Sequence, residues 1–214
     1  MRYLVISDIH ADIAALDVVL DHAGRREWDR VIFLGDAIGY GTEPEAVVQR
    51  LLEIKPLVAL KGNHELAALP PARDPGRRRH EHAGLLSKES LSYLASLPER
   101  HVDASWAAVH GSPRDPMEYL VSIPAARANL RYMERSICLV GHTHVASAFI
   151  HDPEGETRPW RAHAFQQPES RLEIPERASA FLNPGSVSKP RDGLPRAAYA
   201  IFDDERRVIE VFRI

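Results

Sequence analysis

Short apolar runs and amphipathic segments alternate over the first part of the chain. Apolar runs at residues 3–6, 31–34 and 57–60 each predict a short strand. A strand that is apolar throughout, rather than at every second position, is typical of a parallel sheet that is covered on both faces. The pattern therefore predicts an α/β arrangement in which helices connect parallel strands.

Two amphipathic segments between these strands predict the connecting helices. Residues 13–20 carry apolar side chains at helical spacing, and Asp12 stands where an N-terminal cap is expected. Residues 44–52 repeat the pattern, with Pro44 in the first turn, a position that proline favours. The first sixty residues thus predict strand, helix, strand, helix and strand in succession.

The remainder of the chain is less regular. Residues 70–82 are polar and proline-rich and predict a surface loop or lid. The basic run at 77–82 within it is either simply solvated or steers anions toward a site. Residues 85–97 predict a helix, and residues 117–135 predict a helical cap-like segment interrupted at Pro124. Further strands are predicted at 106–109, 137–140, 148–150, 181–182, 197–202 and 208–212, with a hairpin turn at 203–205. We expect this β-richer second half to share one core with the first, so that residues 1–214 form a single domain.

The composition restricts the class of protein. Lys and Arg number 27 against 30 Asp and Glu, a formal charge of −3, whereas a protein that coats DNA or RNA carries a strong basic excess. Cys138 is the single cysteine and cannot form an internal disulfide. The chain shows no apolar stretch typical of a membrane span or a secretory signal. We therefore expect a cytoplasmic protein that binds neither a membrane nor, stably, a nucleic acid.

Candidate metal ligands follow five of the predicted strands, at the point where each strand ends. The C-terminal ends of parallel strands lie along one edge of a sheet, where open α/β sheets bind ligands. Two of the five loops present donors at positions i and i+2, which an extended segment places on the same side. The donors are Asp8, His10, Asp36, Asn63, His110, His142 and His144.

These donors favour a pair of transition-metal ions. Oxygen and imidazole donors without a nearby thiolate suit Mn²⁺, Fe or Zn²⁺, and the imidazoles disfavour Mg²⁺ or Ca²⁺ alone. The donors are too many for one ion with an open position, and two ions need a bridging anion, for which Asp36 in the central loop is suitably placed. The resulting pocket is net positive and suits in-line attack of a metal-bridging hydroxide on phosphorus. The sequence thus predicts hydrolysis of phosphoesters.

The order of these motifs resembles the calcineurin-like metallophosphoesterases. The strings D-x-H, G-D, G-N-H-E, H-G and G-H-T-H occur in the family's order between residues 8 and 144. Segments 183–186 and 190–193 are similar to those of compact bacterial members related to diadenosine tetraphosphatases. The resemblance implies a four-layer sandwich of two mixed β-sheets flanked by helices, with His64 contacting the phosphate and protonating the leaving oxygen. The implied ligands are Asp8, His10, Asp36 and His144 for the first metal, and Asp36, Asn63, His110 and His142 for the second.

Three further residues are candidates around this site. Glu65 stands where many members of the family have Asp, and we expect this carboxylate to orient the His64 imidazole and raise its pKa. Tyr40 is a candidate for stacking on a base, and Arg114 for a bidentate contact with a phosphate. For Tyr40 and Arg114, a surface position without a role is an equal alternative.

The sequence leaves the substrate open. Monoesters, diesters, dinucleoside polyphosphates and phosphoproteins all present the same reacting phosphoryl group. A short chain leaves only a modest lid, which favours small phosphate esters or nucleotides, and a phosphodiester or a dinucleoside polyphosphate in particular. The alternatives are a phosphomonoesterase or protein phosphatase with the same site, a catalytically weak scaffold of the same fold, and a DNA nuclease, which the acidic balance disfavours.

Overall fold

Twelve strands and five α-helices make up the described part of the chain, residues 1–69, 81–155 and 159–214 of a computed structural model. The strands are β1 (Arg2–Ile6), β2 (Arg30–Phe33), β3 (Leu57–Ala59), β4 (Arg100–Val102), β5 (Trp106–Val109), β6 (Ile137–Leu139), β7 (Ser147–His151), β8 (Trp160–Ala164), β9 (Glu169–Glu173), β10 (Ser179–Asn183), β11 (Ala198–Asp203) and β12 (Val208–Arg213). The helices are α1 (Ile13–Ala23), α2 (Pro44–Glu53), α3 (Asn63–Ala68), α4 (Lys88–Ser96) and α5 (Ile123–Asn129), with short 3₁₀ helices at Glu81–Leu85 and Leu130–Tyr132.

The strands form two mixed sheets of six strands each, flanked by helices, as the family resemblance implies. The first sheet has the order β3-β2-β1-β11-β12-β9, and the second has the order β4-β5-β6-β10-β7-β8. The parallel pairs are β1 with β2 and β2 with β3 in the first sheet, and β5 with β6 and β6 with β10 in the second. The five strands that precede the candidate ligands therefore belong to two sheets, not to the single parallel sheet that the apolar runs suggest.

Alternate residues of each central strand enter different parts of the core. In β1, Val5 packs between the two sheets, whereas Leu4 and Ile6 face the outer layer with the apolar sides of α1 and α2. The opposite face of the second sheet packs Cys138 and Phe181 against the segment around α5. Central strands are apolar throughout because each is covered on both faces.

The first two connecting helices form where the sequence predicts them. The Asp12 side chain accepts a hydrogen bond from the Ala15 backbone amide at 2.9 Å and caps α1. Pro44 occupies the first turn of α2, whose apolar stripe at Val47, Val48 and Leu51 is buried.

Several predicted elements differ from the structure. The segment 117–135 is not one interrupted helix, because α5 begins only at Ile123, with Pro124 in its first turn rather than breaking it. The predicted helix 85–97 begins at Lys88, behind a cap from Ser87. The sequence pattern did not predict α3 or the strands β4, β8 and β9. These three strands lie at sheet edges, where a strand can form with only weak apolar alternation in its sequence.

The described residues contain no helix that is both long enough and apolar enough to cross a membrane.

Candidate metal centre

The loops that follow β1, β2, β3, β5 and β6 meet at one end of the sandwich, between the two sheets. Backbone hydrogen bonds join them: the Asp8 amide donates to the Gly35 carbonyl at 3.0 Å, and the Gly141 amide donates to the His110 carbonyl at 2.7 Å. The predicted ligands all lie here, and each is at most 9% exposed: Asp8, His10, Asp36, Asn63, His110, His142 and His144. The structure thus brings together side chains that are widely separated in the sequence.

One group of ligand atoms comes from Asp8, His10 and His144. The Nε2 atoms of His10 and His144 lie 3.0 Å apart. Asp8 Oδ1 lies 3.3 Å from His144 Nε2 and 3.8 Å from His10 Nε2. These three side chains form one of the groups that could hold a metal ion.

A second group comes from Asp36, His110 and His142, with Asn63 beside it. His110 Nε2 lies 3.3 Å from Asp36 Oδ2 and 3.0 Å from Asn63 Oδ1. The ligand atoms of Asp36, His110 and His142 all lie within 4.8 Å of one another. This group contains only oxygen and nitrogen donors, the set that suits Mn²⁺, Fe or Zn²⁺.

Asp36 stands between the two groups. Its Oδ2 atom is 3.3 Å from His110 Nε2 on one side and 3.9 Å from His10 Nε2 on the other. His64 Nε2 lies 4.0 Å from the same oxygen. The other oxygen, Oδ1, accepts a hydrogen bond from the His64 backbone amide at 2.9 Å, which fixes the carboxylate's orientation. One carboxylate therefore faces both groups at once.

Backbone carbonyls fix which nitrogen of each histidine faces the centre. Nδ1 of His10, His110 and His144 contacts the carbonyl oxygens of Ile38, Leu34 and Lys189 at 3.0, 2.9 and 2.6 Å, respectively. A carbonyl can only accept, so in the neutral ring Nδ1 carries the proton and Nε2 is left as an electron-pair donor. His142 is reversed, because its Nε2 contacts the Met117 carbonyl at 3.3 Å and leaves Nδ1 free to bind. Each of the four rings therefore has one nitrogen fixed by a backbone carbonyl and the other nitrogen available to bind a metal ion.

The arrangement fits bound metal ions. Ligand atoms about 2.1 Å from one ion and roughly 90–110° apart lie about 3.0–3.4 Å from each other. The distances of 3.0 Å between His10 and His144 and 3.3 Å between His144 and Asp8 match this spacing. Asp8 Oδ1 is buried and has no hydrogen-bond partner among the described residues. A buried carboxylate oxygen without a partner is costly, and a cation would satisfy it.

The backbone is strained at most of the ligand positions. Asp8, His10, Asp36, His142 and His144 have φ angles of 55°, 52°, 62°, 64° and 58°. Non-glycine residues rarely adopt this left-handed region, and each costs about 1–3 kcal/mol unless the surroundings compensate. Strain of this kind is concentrated at functional sites, and here it turns side chains from several loops toward one point.

The charged side chains of the cluster shift one another's pKa values. Burial alone would raise the pKa of Asp36, but the adjacent His110 lowers it far below its usual range. Burial opposes the charge on His110 as well, yet Asp36 raises the pKa of this imidazole to about 9. Burial, together with the charge on His110, lowers the pKa of His142 to about 4. The cluster therefore attracts positive charge, which a metal ion supplies in place of the proton on His110.

Glu65 supports the loops rather than the histidine beside it. Its carboxylate accepts hydrogen bonds from the backbone amides of Asp36, Ile38 and Gly62 at 2.9, 3.2 and 2.8 Å. Burial raises its pKa to about 7. The expectation that Glu65 orients His64 overlooked α3, because neighbouring residues of a helix point in different directions. Glu65 instead ties the loop after β2 to the loop after β3.

An open cavity of about 290 Å³ lies directly over the cluster. His64 lines it, as does Tyr40, whose ring lies 5.0 Å from the His64 ring, centroid to centroid. The described residues that line it are Asp36, Tyr40, Asn63, His64, Ala67, Met117, Tyr119, His142, His144 and Arg191. A phosphoryl group in this cavity would touch both the candidate ligands and His64.

Arg114 does not belong to this lining among the described residues. It lies in a turn closed by the hydrogen bond from the Ser112 amide to the Asp115 carbonyl, and its guanidinium pairs with Glu118. Among the described arginines, Arg191 reaches the cavity, and the sequence presents it only as part of the segment 190–193. Tyr119 was missed too, because the predicted helix at 117–135 gave no reason to point it at the loops.

The predicted lid at 70–82 lies almost entirely outside the described residues, which resume at 81. His82 is buried, and its Nδ1 atom accepts a hydrogen bond from the Gly39 amide at 3.0 Å. The interpretation of the basic run as a solvated loop is therefore wrong for His82, which helps to hold the loop after β2.

Comparison with known proteins identifies a family with this geometry. The sequence profile of the calcineurin-like phosphoesterase superfamily domain matches residues 1–207. A metallophosphoesterase from Sphaerobacter thermophilus has 36% sequence identity and a TM-score of 0.86, covering 100% of this chain and 88% of that chain. The protein PH1004 from Pyrococcus horikoshii OT3 shares the fold with a TM-score of 0.73 at 19% identity, covering 100% and 87%. The protein MJ0912 of Methanocaldococcus jannaschii is 29% identical over 220 residues, covering 98% of this chain and 86% of its own length.

Proposed function

Because the chain belongs to the calcineurin-like phosphoesterase superfamily and is a metal-dependent phosphoester hydrolase, we propose that it binds two divalent metal ions and uses them to hydrolyse small phosphate esters. Within that class we favour phosphodiesters and dinucleoside polyphosphates as substrates. The observation that carries the proposal is the pair of ligand groups with Asp36 between them.

The chain's own residues suffice for two ions. Asp8, His10 and His144 would hold one ion and Asn63, His110 and His142 the other, with Asp36 shared. When bound, such ions neutralise charge on the phosphoryl oxygens and lower the pKa of water at the site. Mn²⁺, Fe and Zn²⁺ suit this donor set.

His64 is placed to handle the proton of the reaction. It is the first residue after Asn63 in α3, and its Nε2 atom lies 4.0 Å from Asp36 Oδ2 at the floor of the cavity. Hydrolysis adds the oxygen of one water molecule to phosphorus and breaks the bond from phosphorus to the leaving oxygen. In its protonated form, His64 gives that leaving oxygen a proton, and solvent restores the proton afterwards.

The cavity favours a small substrate. Its volume of about 290 Å³ is at the lower end of the range of roughly 300–1,000 Å³ that is typical of small-molecule sites. The exposed rings of Tyr40 and Tyr119 at its rim suit an aromatic part of the substrate, such as a nucleobase, on which they can stack.

We place the reaction in the cytoplasm, on the ground that the single cysteine is free and buried. Cys138 lies within β6, and burial raises the pKa of its thiol to about 12, so that it is unreactive. Nothing in the described residues requires an oxidising compartment.

Metal content and turnover test the proposal together. The purified protein, loaded with Mn²⁺, should contain two ions per chain and hydrolyse bis(p-nitrophenyl) phosphate. Asp36→Asn should lose metal and at least about 100-fold in kcat, whereas Asp21→Asn, on an exposed helix position, should match the wild type. His64→Ala should keep both ions but lose about 10²–10⁴ in kcat.

Two outcomes would overturn the proposal. A protein that binds both ions but turns over neither monoesters, diesters nor diadenosine tetraphosphate would be a scaffold. A His64→Ala variant with full metal-dependent activity would remove His64 from the reaction.

A further inference from the structure

Arg191 is fixed at the cavity by the loop that carries it. Its backbone amide donates to the His144 carbonyl at 3.1 Å, and His144 Nδ1 contacts the Lys189 carbonyl at 2.6 Å. The next residue, Asp192, pairs with Arg213, which is 3% exposed. The loop is therefore anchored both to a candidate metal ligand and to the protein core.

Within the described part of the chain, the guanidinium of Arg191 has only neutral partners. Its Nη2 atom lies 3.4 Å from the Tyr40 hydroxyl. Burial opposes its charge, but the Tyr119 side chain beside it raises its pKa. Among the described residues no carboxylate forms an ion pair with it, in contrast to the pairing of Arg114 with Glu118. A phenol oxygen is a weaker partner than an anion, so the charge of Arg191 remains available to a phosphate, which arginine binds in a bidentate manner.

Both tyrosines rest on residues of the candidate metal centre. The Tyr119 ring stacks on His142, with centroids 4.0 Å apart and planes inclined by 16°. The Tyr40 ring meets His10 edge-on, with centroids 4.7 Å apart. Arg191 lies beside both tyrosine side chains and lines the same cavity as they do, next to the candidate ligands. If one phosphoryl group of a substrate binds over the candidate metal ligands, the Arg191 guanidinium can bind a neighbouring group of the same substrate.

We propose that Arg191, held by Tyr40 and Tyr119, binds a second phosphoryl group of the substrate and so selects condensed phosphate esters, such as nucleoside polyphosphates, over esters with one phosphoryl group. This inference rests on the proposed function, because it assigns a neighbour to the phosphoryl group that reacts over the metal ligands. The cavity holds the reacting group and its neighbour, and the rest of a longer substrate passes the two tyrosine rings. Cleavage adds the oxygen of water to one phosphorus, breaks the bond to its leaving oxygen, and leaves that oxygen protonated or anionic.

Substrate discrimination by an Arg191 variant tests the inference. The Mn²⁺-loaded wild type and Arg191→Gln are compared on bis(p-nitrophenyl) phosphate, which has one phosphoryl group, and on diadenosine tetraphosphate, which has several. We expect Arg191→Gln to lose about 10- to 100-fold in kcat/KM on the tetraphosphate, mainly through KM, and less than about threefold on the diester. Arg131→Gln is the matched control, because this arginine also donates to a tyrosine hydroxyl, that of Tyr132, outside the cavity lining. It should leave both substrates unaffected.

Each contrary result has a distinct meaning. An equal loss on both substrates would place Arg191 on the reacting phosphoryl group or in the fold, and an unchanged tetraphosphate rate would remove it from binding; either overturns the inference. A wild type that cleaves the diester but not the tetraphosphate also overturns it while leaving the proposed function intact. A wild type that cleaves no phosphoester overturns the proposed function itself.

Discussion

Asn183, at the end of β10, allows a sharp test of how the loop 141–144 is held. The side chain is 2% exposed. Its Nδ2 atom donates to the Gly141 carbonyl at 2.7 Å and to Thr143 Oγ1 at 3.0 Å, and its Oδ1 atom accepts from the Gly185 amide at 2.9 Å. Asn183→Ala removes the two hydrogen bonds to the loop that carries His142 and His144, and the one from Gly185, without touching a candidate ligand.

The expected cost follows from these three bonds. At about 1 kcal/mol each, their loss lowers the free energy of unfolding by about 3 kcal/mol. For a chain of this length, that corresponds to a Tm lower by roughly 6–12 °C. The loop also loses the support that orients two imidazoles, and the loss of such outer contacts typically lowers metal affinity by about 10- to 100-fold.

Two measurements separate these effects. Thermal unfolding in the presence of a chelator reports the stability of the metal-free fold, and calorimetric titration with Mn²⁺ at 20 °C reports the affinity. Leu94→Ala is the control, because Leu94 is fully buried in α4 and its truncation costs about 2–5 kcal/mol without altering the loop. An Asn183→Ala variant that loses stability like Leu94→Ala but binds Mn²⁺ as the wild type does would refute the view that Asn183 positions the ligand loop.

Three further predictions concern the metal, the proton donor and the buried ion pair. When the metal ion is present at about 100 times its dissociation constant, removing it should lower the free energy of unfolding by about 2.7 kcal/mol and the Tm by roughly 5–11 °C. An unchanged Tm would mean that the native fold does not bind the ion. Gly39→Ala should lower kcat by about 10- to 100-fold with Mn²⁺ affinity kept, because the new Cβ would lie 2.3 Å from His64 Nδ1 and displace the ring; equal losses in affinity and kcat would contradict this. Asp192→Asn should lower the free energy of unfolding in urea by about 3–5 kcal/mol, because it leaves the Arg213 charge buried and unpaired. The double variant Asp192→Leu with Arg213→Met should recover most of this loss. A loss below about 1 kcal/mol in the single variant would show that solvent reaches the pair.

The central strands and the first helices could be predicted because their signals are local. Asp12 and Pro44 mark the starts of α1 and α2 through interactions with the next few residues, and the apolar runs of β1 and β2 follow from burial on both faces. The edge strands could not be predicted in this way. β9 is largely exposed and, among the described strands, pairs only with β12, for example Leu172 with Ile209, so its conformation depends on a partner distant in sequence.

The candidate site shows the same difference between features set by local sequence and features set by contacts between distant segments. The sequence by itself determined which side chains end the strands, and therefore which types of donor atom the chain offers to a metal, because donor type is a property of the residue. Only the tertiary structure decided that the strands come from two sheets, that Glu65 binds backbone amides, and that Arg191 rather than Arg114 reaches the cavity. These outcomes depend on the packing of segments far apart in the chain, whose contacts leave no periodic signal in either segment alone.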